Sequence, residues 1–204
     1  MQESSVESIS IEHEEWAAFF EELKKESDRA SAILVVAYMD SLLGAKFKLL
    51  FGRGNAATRR KLLEDASGPF ATFSAKVDAA YCLGWLEPNV FCDLHALRKI
   101  RNMFAHQMHG LTFEEPKVRE LINGFRVPHE FFYDWGDVRC GARKGKQDCI
   151  VLFTGEPDDD VVDVVELPPG VVFRWAASFI IAKMAENLGL CIRDIDAQST
   201  RQNQ

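Results

Sequence analysis

The run Asp93-Leu-His-Ala-Leu-Arg-Lys-Ile-Arg-Asn-Met-Phe-Ala-His106 constrains the fold of this chain more than any other stretch. At about 100° per residue, it closes into one helix with two unlike sides. Counted from His95, Arg98, Asn102, His106 and His109 fall within roughly 80° of one another on one side. Leu97, Ile100, Phe104 and Met108 fall opposite. One side is built to pack, and the other carries a guanidinium, an amide and imidazoles in a row. Arg101 lies near the edge of the packed side, where its stem can be buried while its head reaches a cleft.

The same period recurs along most of the chain. Trp16, Phe19, Phe20 and Leu23 mark a helix over 11–26. Ile33, Val36, Ala37, Leu43, Phe47 and Leu50 mark an apolar one over 28–51, stopped by Gly52-Arg-Gly-Asn55. Shorter helices are expected at Ala56–Asp65, Ser74–Leu83 (capped by Ser74 or Thr72) and Pro116–Asn123. Pro88 suits the first turn of the helix that carries the polar stripe. The texture changes after Pro128. Residues 129–170 are rich in Gly and Pro, and Cys149–Phe153 and Val161–Leu167 are β-like runs around an acidic turn. Val171–Leu190 returns to helix. The fold class this implies is mainly α: a single helical-bundle domain over 11–190, with a small inserted β-hairpin near residues 137–167. It is preceded by a disordered acidic N-terminus, 1–10, and followed by a frayed tail, 191–204.

With 47% apolar and 27% charged residues, the composition is that of a soluble globular protein. No apolar run approaches the ~18 residues a membrane span needs, and the acidic N-terminus is unlike a signal peptide. Five cysteines without a Cys-x-x-Cys fit reduced thiols, hence a cytoplasmic setting. The net charge of −7 is uneven: residues 1–28 hold nine acids and two lysines, whereas residues 29–155 hold 18 bases and 13 acids. The central body can meet phosphate but lacks a strongly basic DNA-binding footprint, so direct DNA binding is not expected.

Three groupings could carry chemistry, and each has a structural counterpart. Arg101, Asn102 and His106 could serve metal-free RNA cleavage, with arginine holding phosphate and histidine moving a proton. They could equally satisfy groups at a helix junction. Glu26, Asp28, Arg29, Asp40 and Arg98 could line the same cleft. The plainer alternative is a helix cap at Ser27 or Asp28 and an ion pair between Asp40 and Arg98 or Arg101. Arg139, Arg143, Lys144 and Lys146 could grip phosphates from a hairpin tip or simply be solvated there. No metal site is expected, since His95 and His106 lie roughly 16 Å apart along the helix axis. No cofactor motif is present.

Five blocks together resemble the mannitol operon repressor family of bacteria: Leu23-Lys-Lys-Glu-Ser-Asp-Arg29, Ala37-Tyr-Met-Asp40, Gly68-Pro-Phe-Ala-Thr-Phe-Ser-Ala-Lys76, Tyr81-Cys-Leu-Gly-Trp-Leu86 and Asp93 to His106. They occur in the family's order from about Phe20 to Leu121. The resemblance implies an all-helical transcriptional regulator that acts through a protein partner in a transcription complex. Segment 129–170 departs from the family pattern. The Arg101-Asn-x-x-x-His106 motif also resembles that of the HEPN superfamily, helical and often dimeric domains that include metal-independent ribonucleases. On that resemblance Arg101 would hold phosphate, His106 would transfer a proton, Asn102 would orient them, and RNA would be a partner of a homodimer.

Overall fold

A computed structural model describes residues 10–107, 110–131, 139–144, 146–153, 156 and 159–193. Among these, the chain runs β1 (Ser10–Glu12), α1 (His13–Leu23), α2 (Asp28–Leu50), α3 (Ala56–Leu63), α4 (Phe73–Cys82), α5 (Pro88–His106), α6 (Pro116–Asn123) and α7 (Arg126–Phe131). It continues through β2 (Arg139–Arg143), β3 (Lys146–Phe153), β4 (Val161–Glu166), α8 (Pro169–Asn187) and β5 (Cys191–Arg193). The protein is mainly helical, as its apolar periodicity predicts.

Local chemistry starts and stops the helices. The side chains of Ser27, Asn55 and Thr72 accept from the N–H groups of Ala30, Thr58 and Ala75, closing the first turns of α2, α3 and α4. Pro88, Pro116 and Pro169 each open a helix where a missing N–H costs nothing. Past the end of α8, Gly189 adopts φ +68°, a left-handed conformation that a side chain disfavours.

Helices α2, α5 and α8 build the centre of the core. Val35, Met39, Leu43 and Phe47 from α2 meet Leu94, Leu97, Ile100 and Phe104 from α5, and Phe173, Ile180 and Met184 from α8, all buried. Phe113 bridges the last two groups, 5.1 Å from Phe104 and stacked at 4.3 Å on Phe173. At the other end, Phe47 packs on Phe70 and Trp85. Burying an aromatic side chain of this size contributes on the order of 2–3 kcal/mol. The expected packing face of α5 is confirmed at Leu97, Ile100 and Phe104, while Met108 lies outside the described residues. The apolar pattern of α2 is less uniform than its sequence suggests, because Ile33, Ala37 and Leu50 are exposed.

Three departures from the sequence reading are instructive. The expected hairpin between Cys149–Phe153 and Val161–Leu167 does not form. Strand β2 lies between β3 and β4, in a three-stranded antiparallel sheet of order β3-β2-β4. Its sequence, Arg-Cys-Gly-Ala-Arg, has neither β-branched nor aromatic residues and so gives no strand signal. Of the four basic residues expected at a hairpin tip, Arg139 and Arg143 lie in β2, Lys146 lies in β3, and Lys144 alone occupies the turn between them. Lys144 is exposed there, and its N–H donates to the Asp160 carbonyl at 2.7 Å. The tail expected to fray from residue 191 begins instead with a strand, β5, which pairs in parallel with β1 and joins the two ends of the described chain. Finally, α7 was not expected, since Pro128 sits within it.

Candidate functional site

The polar stripe of α5 lies at the surface. Arg98, Arg101 and Asn102 are half-buried and His106 is exposed. His109 lies outside the described residues. His95, at the N-terminal end of the stripe, places its Nε2 2.9 Å from the Asp78 carboxylate of α4 and its ring edge-on to Phe91. Among the described residues, neither Arg98 nor Arg101 forms an ion pair, and the Arg98 Nε is buried without an acceptor.

The residues at the start of α2 divide between two tasks. Arg29 donates to the Gln107 carbonyl at the end of α5, so it does approach His106 in space. A cation at a helix C-terminus is favourable there. Asp28 instead turns to Phe113, accepting its N–H at 2.9 Å. Glu26 contributes its backbone carbonyl to Arg174 of α8 at 2.8 Å, and the same guanidinium also donates to the Leu23 carbonyl and the Ser31 hydroxyl. Arg174 thus ties the loop between α1 and α2 to α8. Glu26 and Asp28 belong to this junction.

Asp40 does not pair with Arg98 or Arg101. Its partner is Lys76 of α4, whose ammonium lies 2.9 Å from both carboxylate oxygens. Of the five cleft candidates, Arg29 and Arg98 therefore remain with α5's polar side, while Glu26, Asp28 and Asp40 serve helix packing. Among the described residues, no three His, Cys, Asp or Glu side chains gather as metal ligands would.

Sequence reasoning missed Asp93. It is buried within α5 and accepts the N–H groups of Arg126 (2.8 and 3.0 Å) and Val127 (2.8 Å), capping α7. Burial pushes its carboxyl up to about 6, and the two backbone N–H groups act against that shift. An acid on the packed side of an amphipathic helix was the available signal.

Elsewhere, α1 and α8 flank an open, largely apolar groove of about 790 Å3, lined among others by Trp16, Phe20, Leu167, Val171 and Trp175. Trp175 is 42% exposed, a large apolar group left at the surface.

No protein-family model matches the chain, and no curated protein matches it in sequence. In fold it is similar to a chain of the MtlR–HPr complex from Escherichia coli, with a TM-score of 0.54 and 14% identity. The likeness covers 82% of this chain and 99% of that one. It supports a distant MtlR-like fold. Among the described residues, no helix is long and apolar enough to cross a membrane.

Proposed function

We propose that this chain is a transcriptional regulator of the mannitol-repressor type, cytoplasmic and dimeric, that works by docking a protein partner rather than by reading DNA. The observation that carries the reading is the likeness to MtlR over nearly all of that chain, in a structure where it is bound to a second protein, HPr. The five sequence blocks support it independently, and they fall on α2, α4 and α5 and on the loops that lead into those helices. HPr is accordingly the first partner to test. Titration calorimetry of the full chain with purified HPr should give saturable binding with a Kd of roughly 1–100 μM, as for transient contacts. Absence of heat and of co-elution at about 200 μM would exclude HPr and, with it, this reading.

The ribonuclease alternative, through Arg101, Asn102 and His106, ranks second. His106 is exposed, and among the described residues no side chain hydrogen-bonds its ring to orient it for proton transfer. Metal-free cleavage of RNA that disappears in His106→Ala would reverse the order.

A further inference from the structure

We propose that the groove between α1 and α8 binds a medium-chain acyl carboxylate, its hydrocarbon chain lying between the two helices and its head group meeting Lys24 and Arg174. At about 790 Å3 the groove has the size that takes a small ligand. Most of its lining is apolar, including Phe20, Leu167, Val171 and the rings of Trp16 and Trp175. Large aromatic surface left exposed in a concavity is what such ligands cover.

The polar groups of the lining are mostly donors. Trp16 and Trp175 each carry an indole N–H, which can only donate, and neither has an acceptor among the described residues. Arg174 spends its Nε and Nη2 on the carbonyls of Leu23 and Glu26 and the hydroxyl of Ser31, which leaves Nη1 without an acceptor there. Asp28 stands 3.9 Å from Nη2 of Arg174 and accepts the N–H of Phe113. Glu21 is the only carboxylate of the lining, and it is paired with Lys24. Two cations and two indoles thus face one acid that already has a partner.

Both cations stand at one end of the groove. Arg174 bonds the carbonyl of Leu23, the residue before Lys24. From there α1 runs back to Trp16, eight residues or about 12 Å away, with Phe20 midway on the same side. Trp175 and Ser178 follow Arg174 along α8. A cationic end and an apolar length select the ligand. A carboxylate offers acceptors to the donors, and each methylene taken from water adds to the affinity. A neutral head leaves the cations unmatched, and a cationic head is repelled by them. Because the ligand needs no protein partner, the site stands or falls apart from the docking reading.

The test is a titration of the full chain with octanoate, followed by the indole N–H signals of its four tryptophans in two-dimensional NMR and assigned with Trp16→Phe and Trp175→Phe. The Trp16 and Trp175 signals should move and saturate with a Kd of about 300 μM or lower, while that of Trp85, packed on Phe47, should stay. Octanol and octylamine, with the same chain, should bind about 10-fold more weakly. Ala17→Glu sets an acid in the groove from an exposed position, where folding is little affected, and should weaken octanoate about 10-fold or more. Equal binding of the three amphiphiles, or octanoate binding that Ala17→Glu leaves intact, would overturn the proposal. So would a response still unsaturated at about 5 mM octanoate. If HPr then moved the same two signals, the groove would be a protein-docking face instead.

Discussion

The Lys76 ammonium lies 2.9 Å from both carboxylate oxygens of Asp40, yet the two side chains are buried to different degrees, 6% exposed for Lys76 and 34% for Asp40. The pair joins α4 to α2, and the asymmetry predicts unequal mutants. Asp40→Asn leaves a nearly buried ammonium without a counter-charge and should cost about 3 kcal/mol. Lys76→Met keeps most of the apolar stem and leaves a carboxylate that water reaches, so it should cost about 1 kcal/mol or less. Urea unfolding of both variants checks the ordering. Equal losses would mean that the pair is not held as described.

Asp93 predicts a pH dependence. Its folded carboxyl is raised to about 6, above the unfolded value near 4, chiefly by burial. Below pH ~4 both states carry the proton and the group favours neither. As pH rises from about 4 to 6, the unfolded chain ionises first, so this group lowers stability by roughly 3 kcal/mol in total. Above pH 6 its contribution is level. Asp93→Asn keeps an oxygen to accept from Arg126 or Val127 but cannot ionise. Unfolding free energies at several pH values should show that fall in the wild type and a flatter profile in the variant.

Asp93 also shows how the legible part of this fold differs from the hidden part. Helices α1 to α6 and α8 could be read because caps, prolines or the 3.6-residue period lie within each segment. Helix α7 could not, because its cap comes from Asp93, 33 positions earlier in sequence. Strands β1 and β5 are three residues each and pair across nearly the whole chain, which no local window registers. The candidate site divides in the same way. The polar stripe was visible by counting along α5, whereas the partners of Asp40 and Asp28 were set by tertiary packing. Lys76 and Arg174, the cations that hold these acids' neighbourhoods together, carry no signal of their own in sequence.

Gly68 should tolerate no side chain. A Cβ built there would lie 2.5 Å from the Lys61 carbonyl oxygen, 2.7 Å from that of Leu62 and 2.9 Å from that of Asp65. All three are backbone atoms at the end of α3, so relief requires the turn itself to move. Gly68→Ala should lower stability by about 2 kcal/mol, as overpacking of a fixed backbone does. Differential scanning calorimetry would show it as a lower Tm. An unchanged Tm would mean that this turn opens without cost.

Phe104 and His106 are two residues apart on α5 and face opposite environments: Phe104 is fully buried against Phe113, and His106 is exposed. Phe104→Ala should therefore cost about 3–5 kcal/mol through the cavity it leaves. His106→Ala should cost no more than about 0.5 kcal/mol, as surface substitutions do. The contrast matters for function, because it makes His106→Ala a clean probe. A loss of partner binding or of RNA cleavage in that variant would report on the imidazole itself rather than on unfolding. Circular dichroism melts of the two variants decide the point. A large loss of stability in His106→Ala would show that the histidine end of the stripe supports the packing of α5.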